Sequence, residues 1–154
     1  MRGKRAKKRI AIPDPIYKSR TLGRLINTVM LDGKKATAET IVYGALEKLS
    51  PDKKEALTQF EAAMENIMPK QEIRSRRVGG ATYQVPFPVK HERAEALAMR
   101  WLVDVARKKK GKPMSESLFE ELQGATEGIG DAIKKRDDTH RMAEANKAFA
   151  HFRF

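Results

Sequence analysis

The 154-residue chain has no cysteine, which removes disulfides and Cys-based zinc sites and fits a reducing compartment. Aromatic residues are scarce, at 6%. A base-stacking platform of the type used by single-strand binders therefore does not dominate. Long apolar runs are missing as well: nothing approaches the ~20 residues of a membrane span, and the basic N-terminus is not followed by the apolar segment of a signal peptide. The expectation is a soluble intracellular protein with no membrane partner. Acids are absent from two short stretches, and there the positive charge collects. Residues 1–9 carry Arg2, Lys4, Arg5, Lys7, Lys8 and Arg9, and residues 107–112 carry Arg107, Lys108, Lys109, Lys110 and Lys112. These eleven cations account for nearly all of the net charge of +12. Charge concentrated in this way raises the local potential and neutralises phosphates. The expected partner is nucleic acid.

A chain of this length fits one domain and buries roughly 70% of its unfolded surface. Apolar residues make up 40% and charged residues 34%, so the core is small for its surface. Residues 1–12 read as a basic arm, ended by the stiff turn Pro13-Asp14-Pro15, and residues 13–154 as a single helical domain. Leu22, Leu25, Ile26, Val29 and Met30 recur at helical spacing from about Ser19, with Asp32-Gly33 as the stop. A second helix spans about 35–49. Ser50-Pro51 then reads as the cap and first residue of a third, although Thr58-x-x-Glu61 is a rival capping box. After Pro69 the period falls to two: Tyr83, Val85, Phe87 and Val89 alternate with Thr82, Gln84, Pro86 and Pro88. With Gly79-Gly80-Ala81 as the turn, residues 72–88 form a β-hairpin. Pro86 and Pro88 demand a free edge, so the ribbon projects. A fourth helix ends in the 107–112 run at Gly111. A fifth covers about 115–127 with Ser115 as cap, and a sixth about 131–150. The fold class is mainly α: about six helices, one protruding two-stranded hairpin between helices three and four, and the arm.

Arg74, Arg76 and Arg77 stud one hairpin strand, and Gly79-Gly80 lets the backbone approach an RNA strand. The planar fork of arginine binds two phosphate oxygens at once. Tyr83 has two readings, stacking on a base or packing, with packing favoured. Trp101 lies on an apolar stripe and reads as core. Catalytic signals are poor. His91, His140 and His151 are scattered, without carboxylates at zinc-helix spacing. Gly33-Lys34-Lys35 lacks the upstream glycine and following hydroxyl of a phosphate loop. Glu120-Glu121 and Asp137-Asp138 are neighbours that diverge by ~100° on a helix, so both read as solvated pairs. No enzyme, cofactor, metal or small-molecule substrate is expected. A DNA-binding architectural protein is the alternative reading.

Four segments carry a resemblance: Met30-Leu31-Asp32-Gly33-Lys34-Lys35; Arg76-Arg77-Val78-Gly79-Gly80-Ala81-Thr82-Tyr83-Gln84-Val85-Pro86; Arg100-Trp101-Leu102; and Asp138-Thr139-His140-Arg141-Met142-Ala143-Glu144-Ala145-Asn146-Lys147-Ala148-Phe149-Ala150-His151. From about Pro13 onward the chain resembles the bacterial small-subunit ribosomal protein seven family. The ending His151-Phe152-Arg153-Phe154 departs from the Tyr-then-Trp of many bacterial members. The resemblance implies direct, early binding to the 3′ major domain of 16S ribosomal RNA and nucleation of the subunit head. It implies a hairpin and C-terminal helix near the exit site, close to messenger RNA and the outgoing transfer RNA. Other head proteins and a platform protein would be neighbours. Some bacterial members also repress translation of their own operon. Carried over by position, the arm, Lys34, Lys35 and the 107–112 run would hold ribosomal RNA. Arg74, Arg76, Arg77, Gly79, Gly80, Tyr83, Arg141 and Arg153 would face the exit site. The implied location is the small ribosomal subunit, in the cytoplasm or an organelle.

Overall fold

Apolar side chains at helical spacing build the body. The computed structural model describes residues 3, 6 and 10–153, so the expected arm cations Arg2, Lys4, Arg5, Lys7, Lys8 and Arg9 lie outside the described residues. The order is α1 (Arg20–Val29), α2 (Lys35–Leu49), α3 (Lys53–Ile67), β1 (Gln71–Val78), β2 (Ala81–Pro88), α4 (His91–Lys108), α5 (Met114–Thr126) and α6 (Asp131–Ala145), closed by a 3₁₀ helix (Lys147–Phe152). Leu22, Leu25 and Ile26 of α1 meet Leu46 of α2, Phe60 and Ile67 of α3, Leu102 of α4 and Leu118 and Leu122 of α5 in one core. Each is essentially removed from water, and truncating a side chain such as Phe60 to alanine costs about 3–5 kcal/mol. Trp101 is only half-buried and packs against this core from its edge.

The start of the body is pinned by Asp14. Its carboxylate accepts from the backbone N–H groups of Ile16 (3.0 Å) and Tyr17 (2.8 Å) and from the Tyr43 hydroxyl (2.6 Å). Burial, and then the hydrogen bond to Asp14, holds the Tyr43 hydroxyl well above the usual phenol range. Residues 10–14 cross α1 closely: a Cβ on Gly23 would lie 2.8 Å from the Ile12 carbonyl oxygen. That approach requires glycine.

Helix boundaries differ from the sequence reading at three places. The N-cap of α3 is Asp52, whose side chain accepts from the Lys54 N–H, and Pro51 lies outside the helix. Ser50 Oγ instead accepts from the Asp52 N–H and donates to Glu55. Thr58 is helix interior, with its hydroxyl bonded back to the Lys54 carbonyl, so its capping box does not form. In α5 the Pro113 carbonyl takes the N–H groups of Glu116 and Ser117, which leaves Ser115 inside the first turn. The sixth helix stops at Ala145, and the chain tightens into the 3₁₀ segment where an α-helix to about 150 was expected.

β1 and β2 pair antiparallel, with Arg76 opposite Tyr83, Arg77 opposite Thr82 and Val78 opposite Ala81. Gly79 and Gly80 have φ of 58° and 88°, which is the type I′ turn favoured in two-residue hairpins. The base of the ribbon is held: Val85 and Pro86 are buried, and β1 and β2 rest against α6 and the 3₁₀ segment.

Candidate nucleic-acid interface

Two basic turns meet at one end of the body. α1 stops at Val29, and the chain turns through Asp32 and Gly33, both at positive φ (52° and 74°), to reach Lys34 and Lys35. α4 ends at Lys108, and its chain turns at Gly111 with φ of 80°. Arg107 Nη2 donates to the Val29 carbonyl at 3.1 Å, a cation on the electron-rich end of α1 that ties the turns together. Between them lies a crevice of about 340 Å³ whose floor includes Val29, Ile41 and Met114 and whose rim includes Arg107 and Lys112. Leu31 is 60% exposed at its edge. Lys34 and Lys35 are exposed, and Lys35 makes only a loose pair with Glu39 at 3.6 Å.

The five cations of the run are not equivalent. Lys109 Nζ sits 2.9 Å from Glu121 and 3.2 Å from Glu120, and Lys112 also pairs with Glu120. Burial works against the Lys109 charge, but the hydrogen bonds it donates to Glu121 and Glu120 outweigh it and leave its pKa raised. The Lys112 and Lys109 ammonium groups in turn hold the Glu120 carboxyl below the usual carboxylate range. Glu121 is 3% exposed and also accepts from the Ala132 N–H, so the expectation of a solvated Glu120-Glu121 pair is wrong for this residue. The sequence placed neighbouring carboxylates on diverging faces; it did not show that an ammonium from the turn after α4 would pair with both. Arg107, Lys109 and Lys112 therefore shape the turn. Lys108 and Lys110 are exposed and, among the described residues, make no ion pair. Asp137 and Asp138 are the exposed pair expected, engaged with Arg136 and Arg141.

A second basic surface lies at the other end of α4. α4 runs eighteen residues from His91 to Lys108, about 27 Å at 1.5 Å per residue, so the hairpin leading into α4 is remote from the 107–112 turn. Arg74 binds Glu72 and lies over the Phe87 ring at 5.3 Å; Arg76 lies over the same ring at 5.7 Å. Glu72 is buried and also takes Arg93 of α4 at 2.7 Å, so Arg74 belongs to the hairpin's root. Arg77 is exposed near the Gly79-Gly80 tip. Tyr83 packs, as favoured from the sequence: its ring lies 5.3 Å from Phe149 and 5.0 Å from Phe152. Arg153 Nε donates to the Pro86 carbonyl at 2.6 Å, and Arg141 is exposed with a 3.4 Å pair to Asp138. The hairpin and the C-terminal segment thus form one surface, with Arg76, Arg77 and Arg141 as its cations.

Sequence reasoning missed Lys134, Lys135 and Arg136, whose signal was three consecutive cations on α6. Arg136 is structural: it reaches the Asn66 carbonyl at the end of α3. His140 is isolated from the other histidines in the sequence, yet its Nε2 accepts from the Lys70 N–H at 2.9 Å and ties α6 to the start of β1. No group of three or more His, Asp or Glu side chains able to hold a metal ion occurs among the described residues. No helix among them is long and apolar enough to cross a membrane.

Residues 1–147 match the family model described as "Ribosomal protein S7p/S5e". The chain is 56% identical over 154 residues to the small ribosomal subunit protein uS7 of Pelagibacter ubique, covering 99% of each chain. It is 54% identical over 155 residues to that of Fervidobacterium nodosum, covering 100% of each. Against that of Streptococcus gordonii it is 54% identical over 154 residues, covering 99% of each.

Proposed function

The chain belongs to the ribosomal protein S7p/S5e family, and from that premise we propose that its paired basic turns dock on the 3′ major domain of 16S ribosomal RNA. It is a structural constituent of the small ribosomal subunit, not an enzyme, and the DNA-binding alternative falls away. One observation carries the docking reading. The Arg107 bond to Val29 holds the turn that bears Lys34 and Lys35 against the end of α4, and on this reading the cations of the two turns act together as one phosphate-binding edge. The fixed body supplies shape, and the ammonium groups supply affinity without reading bases. The cations Arg2 to Arg9 of the arm, residues 1–12, would add phosphate contacts of their own, and the body of residues 13–154 carries the rest.

The hairpin has a separate task. Arg76, Arg77 and the Gly79-Gly80 tip, with Arg141 and the Arg153-anchored C-terminus, face the exit site, near messenger RNA and the outgoing transfer RNA. Tyr83 serves there by holding the hairpin. Because the two surfaces lie at opposite ends of α4, the protein bridges head RNA and the exit site, nucleates head assembly and adjoins other head proteins and a platform protein.

The test separates the two ends. Lys108→Glu/Lys110→Glu should weaken binding to a transcript of the 3′ major domain by tenfold or more in a filter-binding assay. Arg76→Glu/Arg77→Glu should leave that affinity within about twofold and reduce exit-site transfer RNA retention in reconstituted subunits. The reverse pattern would mean the two surfaces are exchanged.

A further inference from the structure

A basic groove lies beside the docking edge and is used by neither surface described above. On α4, Val105 and Lys108 share a face at i and i+3, and Lys109 follows as the extended cap residue. On α6, Asp131, Lys134, Lys135 and Asp138 share one face. The two helices pack together, and these faces line an open groove of about 300 Å³.

The charge in the groove depends on which groups are already committed. Lys109 is held by Glu120 and Glu121, and Asp138 by Arg141. Lys108, Lys134 and Lys135 make no ion pair among the described residues. Against these three stand Asp138, whose 3.4 Å pair with Arg141 is exposed, and Asp131, in the first turn of α6, where a carboxylate complements the positive helix end. The groove therefore presents a positive surface whose Lys109 wall is fixed and whose other ammonium groups are available.

Its chemistry points to one class of occupant. No aromatic side chain lines it, so it offers no base stacking. Lysines bind phosphate as mobile point charges and so tolerate a strand in varied positions, with no bidentate register. The three lysines line the groove from two helices, which suits successive phosphates better than a single anion. Lys109 lines both this groove and the crevice between the two turns, with Lys108 next to it, so a strand leaving the edge enters the groove directly.

We infer that the α4–α6 groove is a second phosphodiester track, in which Lys108, Lys134 and Lys135 hold the backbone of the RNA strand continuing from the 107–112 turn. This rests on the RNA-docking reading of that turn. The test uses the full chain and a transcript of the 3′ major domain, titrated from low to moderate salt with excess transfer RNA competitor. Losing two phosphate contacts in Lys134→Gln/Lys135→Gln should flatten the slope of log affinity against log salt by about 1.4 to 1.8. Lys134→Arg/Lys135→Arg should restore it. An unchanged slope in the glutamine variant would overturn the track while leaving the docking edge in place, as expected if the groove received an acidic protein segment instead. A shallow slope in the wild-type protein itself would overturn the docking reading and the track together. Should the double variant unfold on heating where the parent does not, the exposed single change Lys134→Gln carries the test, with a flattening of about 0.7 to 0.9.

Discussion

Glu121 shows how a single side chain sets the geometry of the basic end. It is buried, takes Lys109 at 2.9 Å and the Ala132 N–H at 3.4 Å, and so joins α4, α5 and the start of α6. Glu121→Ala would leave Lys109 with Glu120 alone, and chemical denaturation should record a loss of about 1–3 kcal/mol. RNA affinity should fall as well, because the turn that aims Lys108 and Lys110 loses its brace. His140 supplies a pH-dependent joint. Burial and then the Arg136 charge lower its pKa from the ordinary value of 6.5, with Lys70 lowering it further and Asp137 opposing. Its neutral ring is the folded form, since Nε2 must accept from Lys70. The unfolded chain therefore binds the proton more readily below pH 6.5. That stability is fully present above this value and is lost as pH falls toward the depressed folded value. His140→Gln keeps an acceptor but does not titrate, so its denaturation midpoint should fall less between pH 7 and pH 5 than the parent's; parallel profiles would contradict the assignment. Neither Glu121 nor His140 was legible in the sequence, because each owes its role to partners eleven and seventy residues away. The caps misled for a local reason: Ser50 and Asp52 are both good N-caps within three residues, and only the backbone turn decides between them.

At the scale of elements, the six helices and the hairpin were visible because their apolar periods are clean: 3.6 through Leu22–Val29, two through Tyr83–Val89. The end of α6 was not. Its apolar positions continue to Phe149 and Ala150, yet the chain leaves the α-helix so that Phe149 and Phe152 can meet Tyr83 on the hairpin. That choice depends on a tertiary contact, which outranks helix propensity. A lone two-stranded ribbon is marginal in water. The aromatic contacts and the Arg153–Pro86 bond therefore strap this one in place. Removing residues 147–154 should raise hydrogen exchange at the β1 and β2 amides by at least tenfold while the amides of α1 to α5 exchange as before. Unchanged strand protection would mean that α6 alone supports the ribbon. Projection of the ribbon from a free edge also needs qualifying: its tip is exposed, but Val85 and Pro86 at its base are buried.

Across the whole molecule, the division of labour follows the charge. The candidate RNA edge was legible as runs of lysine and arginine, since charge density needs no fold to be seen. Which cations are free to meet phosphate was not legible, because Glu120 and Glu121 withdraw Lys109 and Lys112 from the run. With the arm, the two turns and the groove engaged, binding should depend on salt as though about six to ten phosphates were neutralised. The most direct measurement is a chemical footprint of the purified full-length protein on naked small-subunit ribosomal RNA, at moderate salt with excess transfer RNA competitor. The account predicts protection confined to the 3′ major domain, with part of it lost in the Lys108→Glu/Lys110→Glu variant and retained in Arg76→Glu/Arg77→Glu. Diffuse protection that the competitor removes would contradict it, and would mean that the charge gives only non-specific affinity.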